Sequence, residues 1–215
     1  MKKFFLIAIL LATTAVAGRA QESRQDVSLS GTVLIEPDVL SSTTIDVSAD
    51  RAYGVLASYR FMMTPSSAIE ANYGITYSNS FHYTSLSAIG PAGLKVNTRT
   101  QEISAAYVRS MNFKRYSPFI EAGPGVVIFL PIINIGTTDK SVKQQMTIAG
   151  FFGVGLAYEI SPSFDIRAEY RGIVTKVPDF GLNTSSSTSF NLSTNKWYNF
   201  SVPISVPTIG VAYHF

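Results

Sequence analysis

The chain lacks several of the residues from which soluble domains and metal centres are commonly built. It contains no cysteine, which excludes disulfides and thiolate metal sites. Only two histidines are present, and the acidic residues are scattered singly rather than at the paired spacing of a metal site. Beyond the first residues no long apolar run remains, so the sequence predicts no membrane-spanning helix there.

The N-terminus has the order of a secretory signal peptide. Lys2 and Lys3 precede an apolar run over residues 4–12, and small residues follow, with cleavage expected after Ala17 or Ala20. The run is too short for a membrane anchor. We take residues 1–20 as the leader and 21–215 as one barrel domain. Removing three basic residues with the leader leaves 14 basic and 14 acidic residues, so charge predicts no nucleic-acid partner.

What the chain does have is alternation of apolar and polar residues with a period of two, which is typical of strands with two unlike faces. In the clearest segment, apolar or aromatic residues from Phe164 to Tyr170 alternate with charged residues from Asp165 to Arg171. Pro124 predicts a bulge or a missing ladder bond in its strand. The pattern predicts eight strands, over residues 27–36, 51–61, 67–78, 98–109, 118–130, 145–160, 164–174 and 205–215.

The predicted connections alternate in length along the chain. Long segments over residues 37–49, 79–96, 131–144 and 175–197 alternate with short ones over 62–66, 110–117 and 161–163. Up-and-down barrels of the bacterial outer membrane have short periplasmic turns and longer extracellular loops. This order therefore predicts an all-β, eight-stranded antiparallel up-and-down transmembrane β-barrel with both termini on the periplasmic side.

Charge gathers on one face of successive strands. An eight-stranded barrel is only wide enough for side chains inside, and unpaired buried charge is costly, so we expect opposite charges to pair across the lumen. For Arg167 and Arg171 we expect carboxylate partners among Glu121, Glu102 and Glu70. The predicted lumen charge network is Arg60, Glu70, Glu102, Glu121, Glu159, Arg167, Glu169 and Arg171.

The last stretch points to a specific family. Ile209, Val211, Tyr213 and Phe215 alternate with small or polar residues up to the end of the sequence. Together with the sequences PFIEAG at 118–123, GVG at 153–155 and RAEYR at 167–171, this resembles the small eight-stranded outer-membrane barrels of the outer-membrane protein A, OmpX/Ail and opacity-protein types. The resemblance implies residence in the cell outer membrane. It also implies contact with outer-membrane lipid and lipopolysaccharide, and an assembly signal at those four residues that the barrel-assembly machinery reads.

Aromatic residues near the predicted strand ends fit two interfacial girdles. On the periplasmic side the sequence places Phe61, Tyr158, Phe164 and Phe215; on the outer side it places Tyr77 and Trp197.

Catalytic and binding motifs are weak. His82 with Ser85 lacks any catalytic spacing, and His214 is interpreted as an inward polar residue near the periplasmic rim. The four glycines at 123, 125, 153 and 155 are interpreted as sites of close packing, since no lysine and hydroxyl follow as in a phosphate loop. Lysines at 140, 143 and 196 form a solvated loop face that is open to lipopolysaccharide phosphates. The sequence predicts no catalytic residue, metal or cofactor.

Two function classes remain at this point. The first is a structural or surface-interaction barrel with a plugged lumen, whose loops 37–49, 79–96, 131–144 and 175–197 contact a surface ligand. The alternative is a narrow pore or a lipid A-modifying barrel enzyme.

Overall fold

The computed structural model describes residues 24–35, 45–49, 51–85, 92–135, 143–176 and 201–215. In these residues no helix has the length and apolarity needed to cross a membrane. The strands are β1 (Gln25–Leu34), β2 (Ile45–Ala49), β3 (Ala52–Thr64), β4 (Ser67–Ser85), β5 (Ala92–Ser110), β6 (Tyr116–Ile135), β7 (Gln145–Ser161), β8 (Phe164–Lys176) and β9 (Ser201–His214).

Eight of these strands close into a ring. Each pairs antiparallel with its neighbour in the order β1-β3-β4-β5-β6-β7-β8-β9. The ring closes where β9 pairs with β1, from Asp26↔His214 to Thr32↔Thr208. The predicted eight-stranded antiparallel barrel is therefore confirmed, and β2 is an addition to it.

The two surfaces of the wall are inverted relative to a water-soluble barrel. Large apolar side chains face outward and are exposed, among them Leu29 at 64%, Ile148 at 82% and Ile209 at 64%. Arginines and carboxylates are buried on the inner side, with Arg171 at 1%. A continuous apolar exterior on a closed sheet, in which no backbone edge is left open to lipid, is what a bilayer requires.

Several strands extend further than the alternation predicted. β2 lies inside the predicted loop 37–49 and pairs with β4 in the same register as β3, so the two continue one line beside β4. The predicted loop 79–96 holds the end of β4 and the start of β5, and β6 continues into the predicted loop 131–144 as far as Ile135. Likewise β9 begins at Ser201 rather than 205. Above a membrane both faces of a strand meet water, so alternation stops there although the hydrogen-bonded ladder continues.

Pro124 produces no bulge. The register between β5 and β6 passes from Ser104↔Gly125 to Tyr107↔Ala122 without a shift, and on the other side Pro124 itself pairs with Gly150. Of the two predicted alternatives, the bulge was wrong. Proline has no N–H to donate, so its strand gives up a ladder bond while the register is kept.

The aromatic residues expected at the periplasmic interface lie together at the end of the barrel that carries the short turns. The ring centroids of Phe164 and Tyr213 are 5.1 Å apart, those of Tyr213 and Phe215 are 6.1 Å apart, and Phe61 is exposed on the outer wall. At the opposite end Tyr77 is exposed at 49%, whereas Trp197 lies outside the described residues.

Candidate functional site

The centre of the lumen is organised by one arginine, Arg171 on β8. Its Nη1 donates to Glu102 Oε1 at 2.6 Å and its Nε donates to Glu121 Oε1 at 3.1 Å. Glu169 Oε1 lies 3.3 Å from the same Nε. We call these four residues the Arg171 cluster. Charge-assisted hydrogen bonds of this kind fix the guanidinium plane, so the side chain spans the lumen from β8 to β5 and β6.

Glycines make room for this crossing. Glu121, Gly153 and Arg171 face one another on β6, β7 and β8. A Cβ on Gly153 would lie 2.9 Å from Glu169 Oε1 and 3.0 Å from Glu121 Cγ, so a larger residue would separate the charges. Gly74 does the same beneath Glu102, whose Cγ would be 2.5 Å from an added Cβ. The packing interpretation of the strand glycines fits these close approaches.

A second ion pair lies nearer the end of the barrel that carries the short turns. Arg60 on β3 and Glu70 on β4 are register partners, and Arg60 Nε donates to Glu70 Oε2 at 2.6 Å. The guanidinium carbon of Arg60 also lies 4.8 Å from the ring centroid of Phe119. Both side chains of the ion pair are almost fully buried, so neither charge is left to water.

Arg167 bonds a residue that the sequence analysis did not include in the network. Its Nη2 donates to Asp26 Oδ2 at 2.6 Å, in place of the expected Glu121, Glu102 or Glu70. Asp26 belongs to β1 and Arg167 to β8, and between them β9 presents the small inward residues Gly210 and Ala212. This pair, which we call the seam pair, therefore ties the first strand to the penultimate strand across the closing strand.

His214 extends the seam pair toward the mouth. Its Nε2 lies 2.8 Å from Asp165 Oδ2, and its Nδ1 lies 3.8 Å from Asp26 Oδ2. Beside it a cavity of about 400 Å³ opens at the short-turn end of the barrel, with Glu159 on its wall. Glu159 is exposed, so the structure places it at this mouth and away from the Arg171 cluster.

Loss of the seam pair is expected to destabilise the barrel. Asp26 is fully buried, so Asp26→Asn leaves Arg167 without its counter-charge, and we expect the free energy of unfolding to fall by about 3 kcal/mol. The matched control is Asp165→Asn, a partly exposed carboxylate on the same wall, for which we expect less than about 1 kcal/mol. Urea titration in lipid vesicles measures both; equal losses would contradict the special role of the seam pair.

The lumen above the Arg171 cluster, toward the loop end, combines buried apolar side chains with buried threonines, among them Thr100, Thr147 and Thr175. The apolar side chains come from β1, β3, β6, β7, β8 and β9. The ring centroid of Phe151 lies 5.5 Å from the Arg171 guanidinium carbon, so Phe151 connects these apolar side chains to the Arg171 cluster. We call this set the apolar tier. Its members are Leu34, Leu56, Val127, Phe129, Phe151, Ile173, Ile204 and Val206.

Most of the other sequence candidates lie outside the described part of the chain. The side chains of His82 and Ser85 lie outside the described part of the chain, as do Lys140 and Lys196, while Lys143 is exposed ahead of β7. Among the described residues no group of three or more His, Cys, Asp or Glu side chains is arranged to hold a metal. The outward side chains of the predicted assembly signal lie on the lipid-facing wall, with Tyr213 stacked against Phe215.

Comparison with known proteins connects this geometry to a family. The family model described as outer membrane protein beta-barrel domain matches residues 5–215. Among solved structures, Neisserial surface protein A is 15% identical, with 90% of this chain and 98% of that chain covered and a TM-score of 0.57. OprG from Pseudomonas aeruginosa is 8% identical, with 91% and 97% covered and a TM-score of 0.58. Among curated proteins no matching relative was found. At such identities the structural likeness concerns the fold.

Proposed function

The chain belongs to the family of outer-membrane protein β-barrel domains, and from this premise we propose that it is a closed, non-enzymatic barrel that acts through its extracellular surface. Family membership makes it a transmembrane barrel of the cell outer membrane. The proposal concerns the lumen, which we take to be plugged, and the loop end, which we take to be the working surface.

The observation that carries the closed lumen is the burial of the inward side chains. In a water-filled channel the side chains that line the channel contact solvent. Here Phe129 is 0%, Val127 1% and Arg171 1% exposed, although all three point into the barrel. The Arg171 cluster and the apolar tier therefore block the lumen at two successive levels, the first with charged side chains and the second with apolar ones. An eight-stranded interior has room only for side chains.

The length of the strands supports a role for the loop end. β4 and β5 have 19 residues each and β6 has 20, whereas about 9–11 tilted residues cross a bilayer. Together with β2, which pairs with β4, these strands extend beyond the membrane as a sheet. We propose that this sheet and the segments 37–49, 79–96, 131–144 and 175–197 contact a surface ligand, while the outer wall contacts lipid and lipopolysaccharide.

Export and assembly are part of the same proposal. Residues 1–20 act as a cleaved leader, and residues 21–215 form the mature barrel. Ile209, Val211, Tyr213 and Phe215 serve as the signal through which the barrel-assembly machinery inserts the chain. The outward placement of these side chains on the closing strand supports this role.

Reconstitution tests the closed lumen directly. In planar bilayers we expect the parent chain to give no stable conductance, and in a lipid A modification assay we expect no change in lipid A. The triple variant Phe129→Ala/Phe151→Ala/Arg171→Ala removes two rings from the apolar tier and the arginine of the Arg171 cluster, and it is expected to conduct more than the parent because it opens both plugs. Large, stable conductance of the parent would overturn the plug, and altered lipid A would favour a lipid-modifying enzyme.

A further inference from the structure

Two arginines and two tyrosines share one outward patch at the loop end of the barrel. Tyr53 on β3 and Tyr77 on β4 are register partners, and both rings are exposed, at 69% and 49%. The guanidinium carbon of Arg99 on β5 lies 5.2 Å from the ring centroid of Tyr77. Arg51, the residue directly before β3, lies two positions before Tyr53 and is also exposed. We call these four residues the rim patch.

The level of the rim patch follows from the outward face of β5. Arg99 and Arg109 are ten positions apart and share this face, with Ile103, Ala105 and Tyr107 between them. At a rise of about 3.3 Å per residue and a tilt of about 40°, ten residues rise about 25 Å, which is the height of the apolar band of an outer-membrane barrel. Arg109 lies at the short-turn end, so Arg99 lies at the headgroup level of the outer leaflet.

Among the described residues, no carboxylate neutralises the charge of the rim patch. Every inward arginine described above has a carboxylate partner, whereas among the described residues neither Arg51 nor Arg99 has a carboxylate within ion-pair distance. The Tyr77 ring orients Arg99 through its π face but adds no negative charge. Within the described part of the chain, no carboxylate therefore competes with a membrane-surface ligand for the hydrogen-bonding edges of the two guanidinium groups.

We propose that the rim patch binds a phosphate group of a phosphorylated glycolipid in the outer leaflet. Guanidinium groups bind phosphate oxygens through paired, charge-assisted hydrogen bonds, and tyrosines at this depth pack against the sugar and acyl boundary. Arg51 directly precedes β3 and Arg99 lies on β5, one on each side of β4, so a single headgroup rests over the two tyrosines. This site deepens the lipid contact proposed above and does not depend on the plugged lumen.

The test uses the folded full-length barrel and diphosphoryl lipid A. Native mass spectrometry counts the lipid molecules that each barrel retains after detergent extraction. For Arg51→Gln/Arg99→Gln we expect affinity for this lipid to fall about tenfold. The matched control is Arg109→Gln/Arg115→Gln, which removes the same charge from the periplasmic end, where we expect a change of less than about twofold. A heat-modifiable gel shift checks that every variant is folded.

Three outcomes would overturn the proposal. The first is unchanged lipid A affinity in the rim variant, or an equal loss in the periplasmic control. The second is equally tight binding of dephosphorylated lipid A by the parent, which would remove phosphate from the recognition. The third is displacement of the lipid by millimolar inorganic phosphate, which would assign the patch to a soluble anion. Conductance of the barrel in planar bilayers tests the plugged lumen alone. The plugged lumen and the lipid site can therefore be refuted separately.

Discussion

Replacing Arg171 by methionine is expected to lower the free energy of unfolding by about 3–5 kcal/mol, the largest loss for any single lumen side chain. The arginine is 1% exposed and bonds Glu102 and Glu121 from two other strands. Without it these carboxylates and Glu169 face one another in an interior poor in water, where like charges repel strongly. Urea titration in lipid vesicles, followed by the gel shift of the folded barrel, measures the loss.

Two further variants separate charge from packing. Arg109→Met removes an exposed arginine from the lipid-facing wall and is expected to cost less than about 1 kcal/mol. Adding Glu102→Gln and Glu121→Gln to Arg171→Met removes the stranded charges, and because a buried ion cluster is often replaceable by neutral groups, most of the stability is expected to return. If the triple variant is as unstable as Arg171→Met, the loss comes from packing around the Phe151 ring rather than from unpaired carboxylates.

The period-two pattern was sufficient to place most side chains on the correct face of the wall. From Phe164 to Arg171 the predicted outward and inward residues agree with the observed exposure at every position. This works because a strand in a thin wall between lipid and lumen has two unlike environments, and a shift by one residue would exchange them all.

Periodicity gives the face of a residue but not its height or its partner across the lumen. Asp26 continues the inward series of Ser28 and Ser30, yet the predicted strand began at residue 27, so the partner of Arg167 was missed. Extending the alternation of β1 from Ser28 to residue 26 would have placed the Asp26 side chain in the lumen. Pairing Arg167 with Asp26 also requires the register of β9 with both neighbours, which a single sequence does not contain.

The apolar tier escaped prediction for a different reason. In residues 126–130 both faces of β6 are apolar, so alternation disappears and inward Val127 and Phe129 cannot be told from their outward neighbours. The predicted lumen network therefore contained only charged residues, and Val127 and Phe129 were assigned to neither face. The structure instead has a lumen with ion pairs near its middle and toward the short-turn end, and with apolar side chains and threonines toward the loops. A narrow barrel can exclude water in this way without pairing more charges.

Replacing Phe215 by asparagine is expected to remove most of the outer-membrane yield in cells while leaving the folded barrel nearly as stable. Phe215 follows the closing strand, its N–H donates to Gln25 O on β1 at 3.1 Å, and its ring stacks on Tyr213. As a girdle aromatic it contributes on the order of 1–2 kcal/mol, as any single ring at this interface does. As the end of the proposed assembly signal, it is expected to be required before the ring has closed, when the folded-state contacts do not yet exist.

The matched control is Phe61→Asn, which removes an exposed aromatic at the same periplasmic interface from β3. Refolding into vesicles without any machinery should give similar yields and stabilities for the two variants, because each loses one interfacial ring. In cells, only Phe215→Asn should fail, and Ser205→Ala on the same closing strand should assemble like the parent. Equal outer-membrane yields for Phe215→Asn and Phe61→Asn would contradict an assembly role for Phe215. Phe215 would then be one interfacial aromatic residue among several.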